Sequence, residues 1–218
     1  MSLVDLAAWR FYFWPATEVL RNKLDIRDAD KLAEAEALLT NQRLEEGVPA
    51  VPITPDGYRT IHRHIFQDLY TWAGAYRTAN MRHPAHEAFF CKTEFIADQM
   101  TDVYTKFRHA SASKLETPDA FATSLAAPLG DLNAIHPFRD GNGRAMRVDI
   151  AQLADAHGLA FDQTQLDPAA WNEASRGNFI TADPAPMRAV VLSALSILER
   201  EQSRDRDRDR DGGGDPTD

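Results

Sequence analysis

From residue 136 the chain reads His-Pro-Phe-Arg-Asp-Gly-Asn-Gly-Arg-Ala-Met-Arg, a run dense in groups that handle phosphates and protons. Gly141 and Gly143 permit backbone conformations and close approaches that a Cβ would block. A helix is expected to start within or just after them. The unpaired amides and positive dipole end of a helix start suit a phosphate. Asn142 is a small polar residue that adapts to such a turn, and Asp140 offers the hard oxygen that Mg²⁺ on nucleotide phosphates takes. Arg144 and Arg147 stand three apart, hence on one helix face. They also fall where the dipole disfavours cations, and an anion between them and the helix start would reconcile this. The plainer alternative makes both ordinary surface arginines paired with Asp140 or Asp149. His136, with an ordinary pKa of about 6.5, can take a proton near neutral pH. Its plainer alternative is a histidine capping a helix end. A base facing a phosphate cradle, with a metal carboxylate between them, is the layout for phosphoryl or nucleotidyl transfer.

Those residues need helices to hold them, and the sequence supplies helices. Asp28 to Glu46 is rich in Ala, Leu and Glu and places Leu32, Ala35, Leu38 and Leu39 at helical spacing. Thr54-Pro55 is an N-cap followed by proline at the first helical position, and Tyr58, Ile61, Ile65, Phe66 and Leu69 form its apolar stripe. Thr93 to His109 repeats the logic with Phe95, Ile96, Met100, Val103, Tyr104 and Phe107. Thr117-Pro118 opens a helix that Pro137 should end at His136. Asn142 to His157 is the next, stopped by Gly158, and Asp167-Pro168 and Asp183-Pro184 start the last two. The stretch from Ala75 to Cys91 is different. Tyr76 to Asn80 and Ala88 to Cys91 predict two short strands, a β-hairpin lying on an otherwise helical domain. The fold class expected is all-α with a short hairpin flap. Residues 1–52 would be a helical lead-in, 53–200 the main domain and 201–218 a disordered tail.

Composition narrows the function classes. The chain has 218 residues and a formal charge of −9, which argues against a whole-surface binder of nucleic acid or anionic membrane. Cys91 is the single cysteine, so no intrachain disulfide can form. Apolar runs fall far short of the roughly 18–20 residues that span a bilayer, and Met1 to Phe13 lacks a signal-peptide layout. A cytoplasmic protein is the simplest expectation. From Ser203 the chain alternates Arg and Asp, then runs through three glycines, with no apolar side chain to offset ordering. His83, His86 and Glu87 could contact a metal, but so few ligands on a loop predict a solvated turn. His62 and His64 fall on different helix faces and cannot act as a pair.

His136 to Arg147 matches all eight specified positions of H-x-F-x-[D/E]-G-N-G-R-x-x-R, and in this the chain resembles Fic-domain proteins. Glu18 to Leu24, Phe66 to Tyr70 with Trp72-Ala73-Gly74 and Arg77-Thr78, and Trp171 to Ser175 are also similar to that family, over most of residues 12–200. The resemblance implies transfer of AMP from ATP to a hydroxyl of a target protein, with release of pyrophosphate. It makes His136 the general base and Phe138 a core anchor. Asp140 would be the Mg²⁺ ligand. Asn142, with the backbone of Gly141 and Gly143, would form the anion hole at the α-phosphate, and Arg144 and Arg147 would hold the β- and γ-phosphates. The hairpin would be the family's flap, aligning the target by main-chain pairing. Thr78 and Asn80 would lie on its first arm, and Phe89, Phe90 and Cys91 on its second.

The resemblance also ranks the alternatives. The Doc branch phosphorylates its target and departs from Gly-Asn-Gly, so Gly141 and Gly143 favour AMP transfer over a Doc-like kinase. A catalytically silent nucleotide- or partner-binding module would not need His136. Many Fic proteins restrain themselves with [S/T]-x-x-x-E-[G/N]. No Ser or Thr here satisfies it; Glu46-Gly47 comes nearest, but position 42 is Gln42. The expectation is therefore a toxin restrained by a separate small antitoxin. No BID-type segment follows residue 200, which also leans toward the toxin branch, whose relatives act on type II DNA topoisomerase subunits.

Overall fold

The computed structural model describes residues 3–83 and 87–198, with side chains from Ala7 onward. The expected tail, 201–218, and Pro84 to His86 of the expected flap turn lie outside the described residues. Helices appear where the capping signals put them. They are α1 (Leu3–Phe11), α2 (Ala29–Glu45), α3 (Pro55–Phe66), α4 (Ile96–Ala112), α5 (Pro118–Ile135), α6 (Asn142–Ala156), α7 (Pro168–Thr181) and α8 (Ala185–Ser193). The side chains of Asp28, Thr54, Thr117 and Asp167 each accept a hydrogen bond from a first-turn amide, satisfying one orphan donor apiece. Thr54, Thr117 and Asp167 are each followed by proline, whose missing N–H costs nothing in a first turn.

Helix α5 runs through the interior and packs against α4, α7 and α8, while α6 packs on α3. The core between them is aromatic: Tyr58, Phe66, Tyr104, Phe107, Phe121 and Phe138 are fully buried. Burial of each such ring is worth about 1.5–3 kcal/mol. This core fixes the two helices, α5 and α6, whose junction is the 136–141 loop.

Four expectations change. Leu38 and Phe95 were read into apolar stripes, yet they are 69% and 49% exposed. The inward stripe of α2 is instead Leu32, Glu36 and Thr40, spaced by four. Two of these are polar because a tyrosine and an arginine meet them. Phe95 ends a 3-10 turn, Thr93–Phe95, one residue before the stripe of α4 begins at Ile96. The flap hairpin pairs further along than expected. Its antiparallel bridge is Arg82 to Phe89, flanked by bonds from His83 N to Ala88 O (3.0 Å) and from Phe90 N to Met81 O (3.0 Å). The earlier segment Tyr76 to Asn80 does not pair there, because the Arg77 amide is taken by Pro137 O at 2.8 Å. A regular two-stranded sheet does form, but elsewhere: β1 (Leu159–Phe161) pairs antiparallel with β2 (Leu195–Ile197). Neither strand is long enough to have shown an alternation in the sequence.

Candidate active site

The loop after α5 is built by unusual backbone held in place by side chains. His136 caps α5 with φ 48° and ψ 63°, in the left-handed region, where a residue with a Cβ pays roughly 1–2 kcal/mol. Phe138 is fully buried, stacked 3.8 Å from the His62 ring and 5.3 Å from the Tyr58 ring. Asn142 closes the loop with its side chain. Its Oδ1 accepts from Phe138 N (2.9 Å) and its Nδ2 donates to Phe138 O (3.0 Å). The Asn142 amide group is therefore a staple, and what α6 presents at its start is backbone. The helix begins at Asn142 with no side-chain cap, so helix geometry leaves the N–H groups of residues 142–144 without intrahelical acceptors.

The two arginines of this helix are turned to different tasks. Arg147 and Trp171 line a cavity of about 330 Å³. Gly143 lies beside them: a Cβ built there would sit 3.5 Å from Arg147 Nη1 and 3.8 Å from Trp171 Nε1. Among the described residues Arg147 has neither an ion-pair nor a hydrogen-bond partner, and burial and Arg144 both lower its pKa. Arg144 points toward α2. It pairs with Glu36, which also accepts from Tyr70, and it rests 4.5 Å over the Phe66 ring. The two arginines thus face different surroundings, Arg147 a cavity and Arg144 the side of α2.

His136 lines a second cavity, of about 410 Å³, together with Phe90, Asn133, Asn172 and Arg176. Asn172 also lines the Arg147 cavity, so the two adjoin along α7. The imidazole lies parallel to the Phe90 ring, 4.0 Å between centroids, with its Nδ1 buried and the Asn133 backbone beside the ring. Burial first, then the Arg77 charge, pull its pKa down to about 3. A larger cavity, about 1,080 Å³, lies elsewhere, against Trp9, Trp14, Arg21 and Arg139, and is lined by none of His136, Gly143 or Arg147.

Asp140 lies in the loop that leads into α6. Its Oδ1 accepts from Gly141 N, and burial, with the Glu36 charge, raises its pKa. Its carboxylate is a hard oxygen donor of the kind that suits Mg²⁺ sharing its coordination with phosphates and water. The Glu36 carboxylate that contributes to this rise would favour a cation near Asp140.

The flap residues are placed differently from expectation. Thr78 bonds to Tyr12 through both its amide and its hydroxyl, and Asn80 Oδ1 accepts from Thr93 N (3.0 Å). Phe90 is buried against His136 rather than offered to a target. Phe89 is 48% exposed, with the Arg82 guanidinium 4.8 Å over its ring.

Sequence reasoning missed three residues that position this site: Glu36, Arg77 and His62. Gly74 N donates to His62 Nδ1 (2.9 Å), so the ring is protonated at Nε2 and donates to Asp140 O (2.9 Å). The signal was available: His62 sits among Tyr58, Ile61, Ile65 and Phe66, on the inward face of α3. Burial holds its pKa down at about 3.

This chemistry makes acid stability predictable. His62 and His136 are neutral when folded and take protons on unfolding, so stability present above about pH 6.5 is lost as pH falls toward 3. Asp149 opposes them. Burial pushes its carboxyl up to about 7, against the Tyr104 hydroxyl that bonds it at 2.8 Å. It keeps its proton in the fold, so from about pH 4 to 7 acid favours the folded state through this group. Urea midpoints should fall as pH drops below 6. Asp149→Asn should steepen that fall by about 1.4 kcal/mol per pH unit, one proton's worth. A slope unchanged by the substitution would show that Asp149 is already ionised in the fold.

His136, the bare start of α6 and Arg147 thus surround two adjoining cavities in a helical fold. The chain belongs to the Fic/DOC family. The family's model matches residues 52–154. The sequence is 35% identical over 179 residues to the probable protein adenylyltransferase y4lH of Sinorhizobium fredii, covering 82% of this chain and 92% of that protein. It is 31% identical over 172 residues to the probable protein adenylyltransferase Fic of Escherichia coli K12, covering 76% and 82%. In fold it is similar to BepC, a VirB-translocated effector of Bartonella tribocorum solved with bound AMPPNP. The TM-score is 0.81 at 22% identity, over 87% of this chain and 98% of that one.

Proposed function

We propose that this chain transfers AMP from ATP to a hydroxyl side chain of a target protein and releases pyrophosphate. One observation carries the reading: the His136 cavity adjoins the cavity of Arg147 at the uncapped start of α6. The triphosphate lies against the amides of 142–144, with Arg147 on its distal phosphates. His136 takes the proton of the incoming Tyr, Thr or Ser hydroxyl, that oxygen bonds to the α-phosphorus, and the bond from the α-phosphorus to pyrophosphate breaks. The depressed pKa keeps the ring in its proton-accepting form at neutral pH, and an arriving polyanion raises its basicity. Asp140 would hold Mg²⁺, which when bound neutralises phosphate charge. Similarity to named adenylyltransferases and the AMPPNP carried by BepC support this assignment.

The finer reading is a cytoplasmic toxin of a two-protein system. No inhibitory Ser/Thr-to-Glu motif lies in the chain. An apolar groove of about 730 Å³, lined by Leu44, Val48, Val51, Val148 and Ala151, runs beside the Arg147 cavity and shares Gln163 with it. A helix from a small antitoxin fits there, with a glutamate reaching Arg147. The target we favour is a DNA topoisomerase subunit, met as a protein and not through DNA. Among the described residues no helix is long and apolar enough to cross a membrane.

Parallel incubations of the chain and a bacterial lysate with α-³²P-ATP and γ-³²P-ATP test the reaction. The expected result is protein-bound label from the α-phosphate alone. Label from the γ-phosphate alone would assign a Doc-like kinase, and no label with ATP still bound would assign a silent module.

A further inference from the structure

We propose that Arg77 is a positioning residue that fixes the orientation of His136 and locks it to both arms of the flap. The inference rests on the AMP-transfer reading for its kinetic half and on geometry for the rest. Arg77 is 2% exposed, and among the described residues no carboxylate pairs with it. A buried cation without a counter-ion depends on hydrogen bonds to its donors. Here backbone carbonyls accept four such bonds from the guanidinium. Nε donates to His136 O (2.8 Å), Nη1 to Ala79 O (2.9 Å), and Nη2 to Ile135 O (3.2 Å) and to Cys91 O.

These four carbonyls belong to three parts of the site, the end of α5 and the two arms of the flap. Ile135 and His136 are the end of α5, where the dipole presents negative charge to a cation. Ala79 lies on the chain entering the flap and Cys91 on the chain leaving it. The Arg77 amide adds a fifth tie, to Pro137 O (2.8 Å), and Cys91 N returns to α5 through Ala134 O (3.1 Å). His136 has φ 48° without being glycine. Such a conformation persists where its surroundings over-determine it, and the Arg77 bond to its carbonyl does so. Phe90, one residue before Cys91, stacks on the His136 ring. One guanidinium therefore sets both the backbone under the imidazole and the aromatic ring that covers it. A lysine cannot replace it, because a point charge lacks the planar fork that reaches four separated oxygens.

The test uses Arg77→Lys and Arg77→Met in the full chain. ATP binding is measured by calorimetry, steady-state label transfer by α-³²P-ATP, and amide hydrogen exchange at Phe90 and Cys91 by NMR. Arg77 touches neither α6 nor Arg147, so both variants should bind ATP with unchanged affinity and unchanged KM for ATP. The kcat should fall by about 10²-fold, the loss expected for a catalytic group misplaced by about 1 Å. Exchange at Phe90 and Cys91 should accelerate. Wild-type kcat in Arg77→Lys with protected flap amides would overturn the proposal. Loss of ATP binding together with kcat in both variants would also overturn it, by making Arg77 a general stabiliser. If the wild-type chain transfers no label, the AMP reading fails by itself, and the exchange rates still decide whether Arg77 ties the flap to His136.

Discussion

His136→Ala and His136→Asn are both expected to lower label transfer by about 10²–10⁴-fold, the usual worth of a general base, while ATP binding stays intact. The two variants separate chemistry from backbone. Position 136 has φ 48°, and asparagine tolerates the left-handed region better than alanine. Alanine should therefore cost stability as well as activity, and asparagine activity alone. ATP affinity should hold in both, because the proposed seat of the triphosphate is the α6 amides and Arg147 rather than the imidazole. Transfer in His136→Asn at the wild-type rate would remove His136 from the chemistry. Rates come from α-³²P-ATP, affinities from calorimetry and stabilities from urea midpoints.

The second large effect separates the two glycines. Gly141 has φ 77°, and a Cβ there would meet Phe66 Cζ at 2.2 Å. Phe66 is fully buried, with the Arg144 guanidinium 4.5 Å from its ring, so it has little room to retreat. Gly141→Ala should cost about 2–4 kcal/mol, combining left-handed strain with overpacking, and should lower ATP affinity by displacing the start of α6. Gly143 is helical, and an added Cβ would find only ordinary contacts. Gly143→Ala should therefore leave the urea midpoint nearly unchanged, and its effect should fall on ATP binding, because the methyl projects beside Arg147. Equal stability losses in the two variants would contradict this division.

What the sequence revealed and concealed follows from range. Thr54-Pro55, Thr117-Pro118 and Asp167-Pro168 are local signals, since cap and proline act within one turn, and each opens a helix as read. The His136 to Arg147 run is also local, and its loop-then-helix form could be read from two glycines and a proline. Glu36, His62 and Arg77 act across long separations. Glu36 meets Arg144, 108 residues away, and Arg77 meets His136, 59 residues away. Neither pairing leaves a periodic trace. Glu36 and Thr40 even disguised the inward face of α2, because apolar spacing pointed to Leu38 instead. The flap register slipped for a related reason: the Arg77 amide is claimed by Pro137 in the loop, so pairing starts only at Met81.

Arg144 shows where residue type and placement part. The motif puts it on the same face as Arg147, but Glu36 and Thr40 hold it on α2. In this arrangement it ties α6 to α2, while Arg147 faces the cavity beside Trp171.

The most direct measurement is a crystal structure of the chain with a non-hydrolysable ATP analogue. The account predicts phosphate oxygens on the amides of residues 142–144, the distal phosphates at Arg147, and the α-phosphorus facing the His136 imidazole. A nucleotide lying reversed, with its γ-phosphate toward His136, or one seated away from the start of α6, would contradict it.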